Sequence, residues 1–287
     1  MNKTEQRRGP NPDGRHPRWV RKPQPRLDSL PPIKEYSCQR TDEPIHVDGN
    51  ISKTVWEKSL WSEPFTHMVT DNKVPFTTRI ALRWDNEYLY AGYTVEDPDV
   101  RAEMTGFHDH VYKLDEDVEL FIYGENGYFE IGTNALNNIY EIKWTWIKDI
   151  IEKNDHERLE ELFMAPNFLY YPARPGEKYG RHGDLDWQLS GLKHAVRIQG
   201  AINCPEVKDE GWTVEFALPW EGLKPILGEQ YSPPKPGDKL KITAFRCHQW
   251  RDKEKAGQVE EEGWTWSIMG AVNIHVPERW NRVIFTE

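Results

Sequence analysis

Hydrophobic and polar positions alternate along most of the chain, which is the pattern of β-strands that bury one face. The alternating segments lie at 77–84, 88–96, 118–123, 128–133, 139–147, 195–203, 211–217, 239–248 and 282–285. Helical spacing is limited to two short segments, 51–60 and 156–163. Because strands and helices do not alternate, the pattern predicts an all-β fold. We expect an antiparallel β-sandwich of the jelly-roll or immunoglobulin-like kind, with a few short helices.

The strongest local signal is a hairpin within residues 114–138. Its strands are predicted at 118–123 and 128–133, and the turn at 124–127 contains Asn-Gly, a pair that tolerates the positive φ of tight hairpin turns. Carboxylates precede the first strand and asparagines follow the second. One end of the sheet is therefore expected to present carboxylates and carboxamides. Such groups hold hard cations or hydrogen-bond to sugar hydroxyls.

One long segment breaks the strand pattern. Residues 148–194 contain the second helical segment and then, from 165 to 192, a run rich in Pro, Gly, Tyr and His. We interpret 148–194 as an insertion that ends in a long loop. Loops of this length inside a compact domain are usually functional or disordered, and the aromatic residues favour a functional loop.

Charge divides the chain of 287 residues into two parts. The formal net charge is −10, and the first 30 residues hold eight Lys or Arg and three Asp or Glu, a charge of +5 that leaves −15 for the rest. This basic, proline-rich start has few apolar residues with which to offset its ordering entropy. We expect a disordered leader at 1–35 and a single domain at 36–287. A nucleic-acid partner is not expected for so acidic a body.

Cysteine usage and hydropathy bear on the compartment. Cys38, Cys204 and Cys247 are widely spaced and match neither a disulfide framework nor a zinc motif. No apolar run approaches the ~20 residues of a membrane span, and none follows the basic N-terminus as in a signal peptide. We expect a soluble, cytoplasmic protein without a membrane partner, with export by another route as the alternative.

Ordered landmarks give the chain a family likeness. They are an Asp-Gly turn followed by Trp at 47–56, a strand with an Asp-x-x-x-Leu-Tyr hairpin at 78–90, an acidic strand at 116–121, Gly-Trp-x-x-Glu with Pro-Trp at 211–220, and closing Trp-Ser and Pro-Glu-Arg-Trp segments at 266–280. Their order and spacing resemble those of the family 9 carbohydrate-binding modules and their DOMON-like sandwich relatives. The resemblance covers roughly residues 44–285.

The resemblance implies a jelly-roll-like sandwich that binds a mono- or oligosaccharide, often with structural calcium. Two tryptophans clamp the sugar in family members, and their positions fall here near Tyr112 and at His275. Glu119 matches the family's site glutamate, and Asn134 lies near its strand-end asparagine. Glu130 stands about where the family has an arginine, which reverses the charge.

Sugar recognition needs flat apolar rings and planar polar groups. The candidate ligand-binding residues are Tyr112, Glu119, Glu130, Asn134, Asn137, Trp144, Trp264 and His275. The adjacent carboxylates of Asp115, Glu116 and Asp117 repel one another unless a cation lies among them, so they are the candidate calcium ligands. His108 and His110 form either a metal-binding pair or part of a solvated turn.

Three functions follow as hypotheses. The first is non-catalytic carbohydrate binding at an aromatic- and carboxylate-lined end of the sandwich. The second is an enzyme acting on a sugar or sugar acid, a hydrolase or lyase, that uses Glu119, Glu130 and His275, with Glu119 and Glu130 as an acid–base pair and residues 165–192 as a lid. No nucleophile-elbow, zinc-protease or phosphate-loop motif occurs. The third is a haem-binding domain, as in some DOMON-like relatives, with Met104, Met269 or a histidine as axial ligand.

Overall fold

The computed structural model describes residues 30–173, 179–251 and 259–287. Its strands are β1 (Glu35–Arg40), β2 (Thr66–His67), β3 (Thr78–Trp84), β4 (Tyr88–Glu96), β5 (Asp117–Tyr123), β6 (Gly127–Asn134), β7 (Ile139–Trp146), β8 (Phe168–Tyr171), β9 (Arg181–Asp184), β10 (Lys193–Gln199), β11 (Gly211–Pro219), β12 (Lys239–Arg251), β13 (Val259–Thr265) and β14 (Asn281–Thr286). Its α-helices are α1 (Thr54–Glu57), α2 (Ile147–Glu152), α3 (His156–Met164) and α4 (Trp220–Leu227), and 3-10 turns occupy Val111–Lys113 and Pro277–Arg279. Most of the predicted leader, 1–29, lies outside the described residues. Within the described residues, no helix has both the length and the apolar character needed to cross a bilayer.

The strands form one continuous sheet that folds back on itself as a sandwich. One half has the order β10-β11-β4-β3 and the other has the order β12-β5-β6-β7-β9-β8. β1 and β14 connect the halves, because β1 pairs with β3 on one side and with β14 on the other. Both pairings of β1 are parallel, whereas the other pairings between the described strands are antiparallel. The prediction of an all-β sandwich is confirmed, and β1 is the exception to its antiparallel arrangement.

The main core lies between the two halves. Val118, Leu120 and Ile122 of β5 point into it and are fully buried. Tyr93 of β4 belongs to the same core, and its hydroxyl donates a hydrogen bond to the main-chain oxygen of Glu119 at 3.0 Å. This contact joins β4 to β5 across the sandwich.

The outer face of the second half carries the acidic residues of the hairpin. Because side chains alternate along a strand, Asp117, Glu119 and Phe121 point away from the core, as does Glu130, the cross-strand partner of Phe121. A second buried cluster of mainly aromatic side chains, from β6, β7, β12 and residues 269–280, lies over this face. The face is therefore an interior surface.

Two of the sequence landmarks, at 47–56 and 211–220, meet at one buried carboxylate. Glu215 of β11 is fully buried and accepts hydrogen bonds from the backbone nitrogens of Asp48 and Gly49, each at 2.8 Å. Trp56 Nε1 donates to Glu215 Oε1 at 2.6 Å, and Lys53 Nζ forms an ion pair with it at 2.7 Å. The Asp-Gly turn, α1 and the Gly-Trp-x-x-Glu strand are thus a single structural unit.

The inserted segment has more regular structure than a long loop. α3 covers the predicted helical segment, and its N-cap is Asp155, whose side chain accepts a hydrogen bond from Arg158 N. β8 and β9 then form an antiparallel pair, and β9 adds to the edge of β7. The segment 165–192 therefore extends the sheet, and its residues 174–178 lie outside the described part of the chain.

The glycines of the hairpin turn are not needed for the positive φ that the sequence pattern suggested. Neither Asn126 nor Gly127 has a positive φ. Instead, a Cβ at Gly127 would lie 1.7 Å from the carbonyl oxygen of Trp144, and a Cβ at Gly124 would lie 2.2 Å from that of Ile226. Glycine is required here because neighbouring backbone approaches closely, which the local sequence did not reveal.

Candidate functional site

The centre of the site is a pair of carboxylates on the outer face. The hydroxyl of Tyr140 lies 2.8 Å from Glu119 Oε1 and 3.1 Å from Glu130 Oε1. Trp144 Nε1 donates to Glu130 Oε2 at 2.6 Å. A phenol has one proton and can donate to one carboxyl group at a time. A protonated carboxyl on the other side would complete the triad by donating to the phenol oxygen.

Burial favours such protonation. Glu119 and Glu130 are each only 4% exposed. Desolvation raises the pKa of Glu130 to about 7, and it raises the pKa of Glu119 well above its usual range, with the neighbouring charges of Asp117 and Glu130 adding to the effect. The expected open rim at these two residues is thus not found, because the aromatic cluster over the outer face excludes solvent.

The structure brings two further candidate residues, His275 and Trp144, close to this pair. His275 Nδ1 lies 2.8 Å from the hydroxyl of Tyr128 and 4.0 Å from Glu130 Oε2. The ring of His275 packs against that of Trp144, with centroids 5.2 Å apart. Both side chains contribute to the aromatic cluster, and neither is an exposed platform, since Trp144 is 2% exposed.

Arg181 of β9 is a site residue that the sequence analysis missed. It is 1% exposed, and its guanidinium carbon lies 5.7, 5.5 and 5.4 Å from the rings of Tyr128, Trp146 and Tyr171. Its Nη1 is 3.4 Å from the main-chain oxygen of His275. Arg181 therefore brings a positive charge into the aromatic cluster. Only the pairing of β9 with β7 places it there, and no sequence motif marks it.

Three other candidates lie away from the carboxylate pair. Asn134 is fully buried and donates to Asp115 Oδ2 at 2.8 Å, in a network that shapes the end of β6. Asn137 is exposed, and its side-chain oxygen lies 2.8 Å from His194 Nδ1. Trp264 belongs to the core between the sheet halves. The alternation of β13 sends Trp264 to the face opposite Glu119.

Tyr112 lies beside the pair. Its ring centroid is 5.4 Å from that of Tyr140, and its hydroxyl lies 2.9 Å from His110 Nδ1. Tyr112 is only partly buried, and the side chain of His275, at the other expected clamp position, is 15% exposed.

The three candidate calcium ligands do not converge. Asp115 accepts hydrogen bonds from the backbone nitrogens of Glu103 and Met104, both at 2.9 Å. Glu116 points into the sandwich core, whereas Asp117 is fully buried on the outer face, where burial raises its pKa well above its usual range.

These carboxylates therefore do not fit a shared calcium ion, because strand alternation separates Glu116 from Asp117 and backbone donors occupy Asp115. In the described part of the chain, no group of three or more His, Cys, Asp or Glu side chains is arranged to hold a metal. Calcium binding elsewhere in the protein stays a prediction.

A cavity of about 320 Å³ lies on the other side of Tyr140. It forms at the edge of β7, because β9 pairs with β7 only from Lys143 to Trp146. Its walls come from the loop before β5, from β7 and from the inserted segment; they are Phe107, His108, His110, Tyr140, Glu141, Ile142, Asn167, Leu185, Asp186 and Gln188. Tyr140 is thus shared between the cavity and the carboxylate pair.

The cavity combines aromatic and polar walls. The ring of Phe107 is 78% exposed and stacks on that of His108, with centroids 4.2 Å apart. The ring of His110 lies nearly parallel to that of Tyr140 at 6.0 Å. Burial lowers the pKa of His110 to about 4, with the charge of Lys113 adding to the effect, so this imidazole is neutral at neutral pH.

The raised pKa of Glu130 leads to a prediction for the variant Glu130→Gln. A carboxyl group with a raised pKa in the folded state contributes stability below its unfolded pKa, and this contribution is lost as the pH rises through about 7. Glutamine stays neutral, its one carbonyl oxygen can accept from Trp144, and its NH2 group can donate to the hydroxyl oxygen of Tyr140. We expect the free energy of unfolding of Glu130→Gln, relative to the parent, to rise by roughly 1–3 kcal/mol between about pH 4.5 and pH 7.5.

Urea unfolding at the two pH values measures this change, and subtracting the parent cancels the opposing titration of His110. Glu125→Gln, at an exposed position in the β5–β6 turn, is the matched control and should show no such change. An equal difference at both pH values for Glu130→Gln would mean that Glu130 is ionised throughout.

Comparison with known proteins finds similar folds among solved structures, but no match at the sequence level. Neither a protein-family model nor a curated protein sequence matches the chain. The structure is similar to that of a candidate carbohydrate-binding protein from Bacteroides uniformis, with a TM-score of 0.54 and 13% identity over 88% of this chain and 100% of that one. It also aligns with a family 9 carbohydrate-binding module from Caldicellulosiruptor kristjanssonii in complex with cellotriose, at a TM-score of 0.49 and 11% identity over 88% of this chain and 94% of that one. The same module in complex with glucose aligns at a TM-score of 0.49 and 12% identity, over 88% of this chain and 96% of that one. At these identities the likeness is one of fold, and the chain has the β-sandwich fold of the Bacteroides uniformis protein.

Proposed function

We propose that the protein binds carbohydrate without cleaving it, in the cavity beside β7. The observation that carries the proposal is the cavity itself, which has about 320 Å³ of space next to the carboxylate pair. This is within the range of small-molecule sites. The carbohydrate-binding description of the Bacteroides uniformis protein, which shares the fold, supports the same function.

The walls offer both kinds of contact that a sugar needs. The exposed ring of Phe107 offers an apolar face to pyranose C–H groups. Asn167, Asp186 and Gln188 offer planar polar groups for hydroxyls, and the Asn167 amide donates to Asp186 Oδ1 at 3.0 Å, which orients both. Tyr140 closes the inner end.

Calorimetric titration with a panel of mono- and oligosaccharides tests the proposal. We expect at least one member to bind, and Phe107→Ala to weaken its binding about tenfold through loss of stacking. Val272→Ala, also at an exposed apolar position, is the matched control and should leave the dissociation constant unchanged. If no sugar binds, the proposal fails.

The variant Glu119→Gln distinguishes the cavity from the outer face. Glu119 reaches the cavity only through Tyr140, so the change should weaken binding less than Phe107→Ala does. A loss of binding in Glu119→Gln with full binding in Phe107→Ala would move the site to the outer face.

Glycoside cleavage is the second candidate. It is favoured by the close pair Glu119 and Glu130, because a carboxyl group with a pKa of about 7 can act as a general acid. The burial of both residues argues against it, since a glycosidic oxygen could not reach them without displacing Tyr140. Turnover of chromogenic glycosides that is lost in Glu119→Gln would favour the enzyme.

Haem binding has less support. Met269 is fully buried in the aromatic cluster, and neither Met269 nor Met104 lines the cavity. A Soret band after addition of haemin would support this alternative.

A further inference from the structure

The cavity has two acidic walls whose described partners are neutral. Glu141 is 4% exposed, and its Oε1 accepts a hydrogen bond from Leu189 N at 2.9 Å. Asp186 is exposed at the cavity mouth and accepts from the Asn167 amide. Neutral donors hold these two carboxyl groups in place and bring no positive charge to them.

The histidines of the cavity do not supply a balancing charge. His108 Nε2 lies 3.5 Å from Glu141 Oε2, but burial lowers the pKa of His108 as it does that of His110. Among the residues that the structure describes, those lining the cavity include no lysine or arginine. Lys143, the next residue on the same face of β7 as Glu141, forms its ion pair with Asp184 at 3.3 Å.

Further carboxylates lie behind the inner wall. The hydroxyl of Tyr140 contacts both Glu119 and Glu130, whose pKa values burial raises, so a ligand cation beside Tyr140 would favour the ionised forms of this second pair. The chain as a whole has a formal net charge of −10. A ligand carboxylate would be repelled by the Asp186 carboxylate at the mouth, whereas a ligand cation would be attracted.

We propose that the cavity selects a sugar that carries a protonated amine and excludes sugar acids. This rests on the proposed function, because it assigns the ligand class of the same cavity. A primary ammonium group has three donors. It can contact the carboxylate of Asp186 at the mouth or that of Glu141 inside, while the pyranose ring stacks on Phe107.

The raised pKa of Glu141, about 7 because of burial, fits this assignment. An ammonium group beside Glu141 would favour its ionised form, so binding should release a proton. The charged or titratable groups around Glu141 are His108, Asp186 and the Lys143–Asp184 pair, and among them Lys143 alone is a permanent cation.

Calorimetry on the full chain with matched sugars tests the proposal. Glucosamine, glucose and glucuronic acid are compared near pH 6.5, and galactosamine, galactose and galacturonic acid are compared in parallel. We expect the amino sugar of one series to bind about tenfold more tightly than its neutral counterpart, and the uronic acid not to bind. Added salt should reduce the preference.

Variants that remove single charges test which carboxylates cause the preference for the amino sugar. Asp186→Asn and Glu141→Gln keep an acceptor oxygen but remove the charge, so each should lower the ratio of the glucose to the glucosamine dissociation constant. Glu157→Gln on α3, which does not line the cavity, should leave the ratio unchanged.

The outcomes separate the two proposals. Equal binding of neutral and amino sugars, or tighter binding of the uronic acid, would overturn the charge preference and leave carbohydrate binding intact. A preference that persists in both charge-removing variants would also overturn it. Binding by none of the sugars, in these series or in the wider panel, would overturn both.

Discussion

Replacing Glu215 with alanine is expected to lower the free energy of unfolding by about 3–5 kcal/mol, because three N–H donors lose their shared acceptor and Lys53 loses one of its carboxylate partners. Glu215 is fully buried, and Asp48 N, Gly49 N, Trp56 Nε1 and Lys53 Nζ all point at its carboxylate. Most proteins have only 5–15 kcal/mol of stability in total, so this loss would leave the domain marginal. Urea unfolding at neutral pH measures it.

Two further variants define the mechanism. Glu215→Gln keeps one acceptor oxygen but places an NH2 group among donors, so we expect a smaller loss than in Glu215→Ala. Glu221→Ala removes an exposed partner of Lys224 and should cost less than about 1 kcal/mol. If Glu215→Ala were no more destabilising than Glu221→Ala, the buried network would have no structural role.

Replacing Arg246 with methionine is expected to cost a similar amount, about 3–5 kcal/mol. Arg246 is fully buried between the sheet halves, and its Nη2 lies 2.7 Å from Glu116 Oε2. Burial acts to raise the pKa of Glu116, but Arg246 and His248 hold it below its usual value. Methionine fills part of the same space and leaves Glu116 with His248, whose Nδ1 lies 2.7 Å from Glu116 Oε1, as its remaining side-chain partner.

The double variant tests whether the unpaired charge causes the loss. Adding Glu116→Gln to Arg246→Met removes the buried carboxylate, so the double variant should recover about 1–3 kcal/mol relative to Arg246→Met. Chemical denaturation of the parent, both single variants and the double variant gives the coupling energy. Strictly additive effects would mean that Arg246 acts through its other contacts, with Thr78 Oγ1, the main-chain oxygen of Glu96 and the ring of Trp264, and not through Glu116.

Local pattern accounts for most of the strands. The alternation at 118–123 and 128–133 predicted β5 and β6 within one residue at each end, because each strand buries every second side chain against the core. Helical spacing at 156–163 likewise predicted α3. Inside 165–192, Pro and Gly residues hid the strands β8 and β9, whose pairing depends on the distant β7. Long-range partners of this kind leave no periodic signal in a short window.

The site was predicted in part. Glu119, Glu130, Trp144 and His275 were named from the sequence and do lie together, since cross-strand register brings them to one face. Their burial was not foreseen. Trp264 was misplaced because the sequence does not say which face of β13 meets the core.

By itself, the sequence determined most of the strand segments, which of their residues alternate on each face, and that acidic groups gather on the β5–β6 hairpin. These properties depend on neighbours a few positions apart. Only the tertiary structure decided that the outer face is covered, that Arg181 reaches the aromatic cluster, and that the cavity opens beside Tyr140. Those features arise where segments distant in sequence pack together, and desolvation, which sets the pKa of Glu130, is a property of that packing.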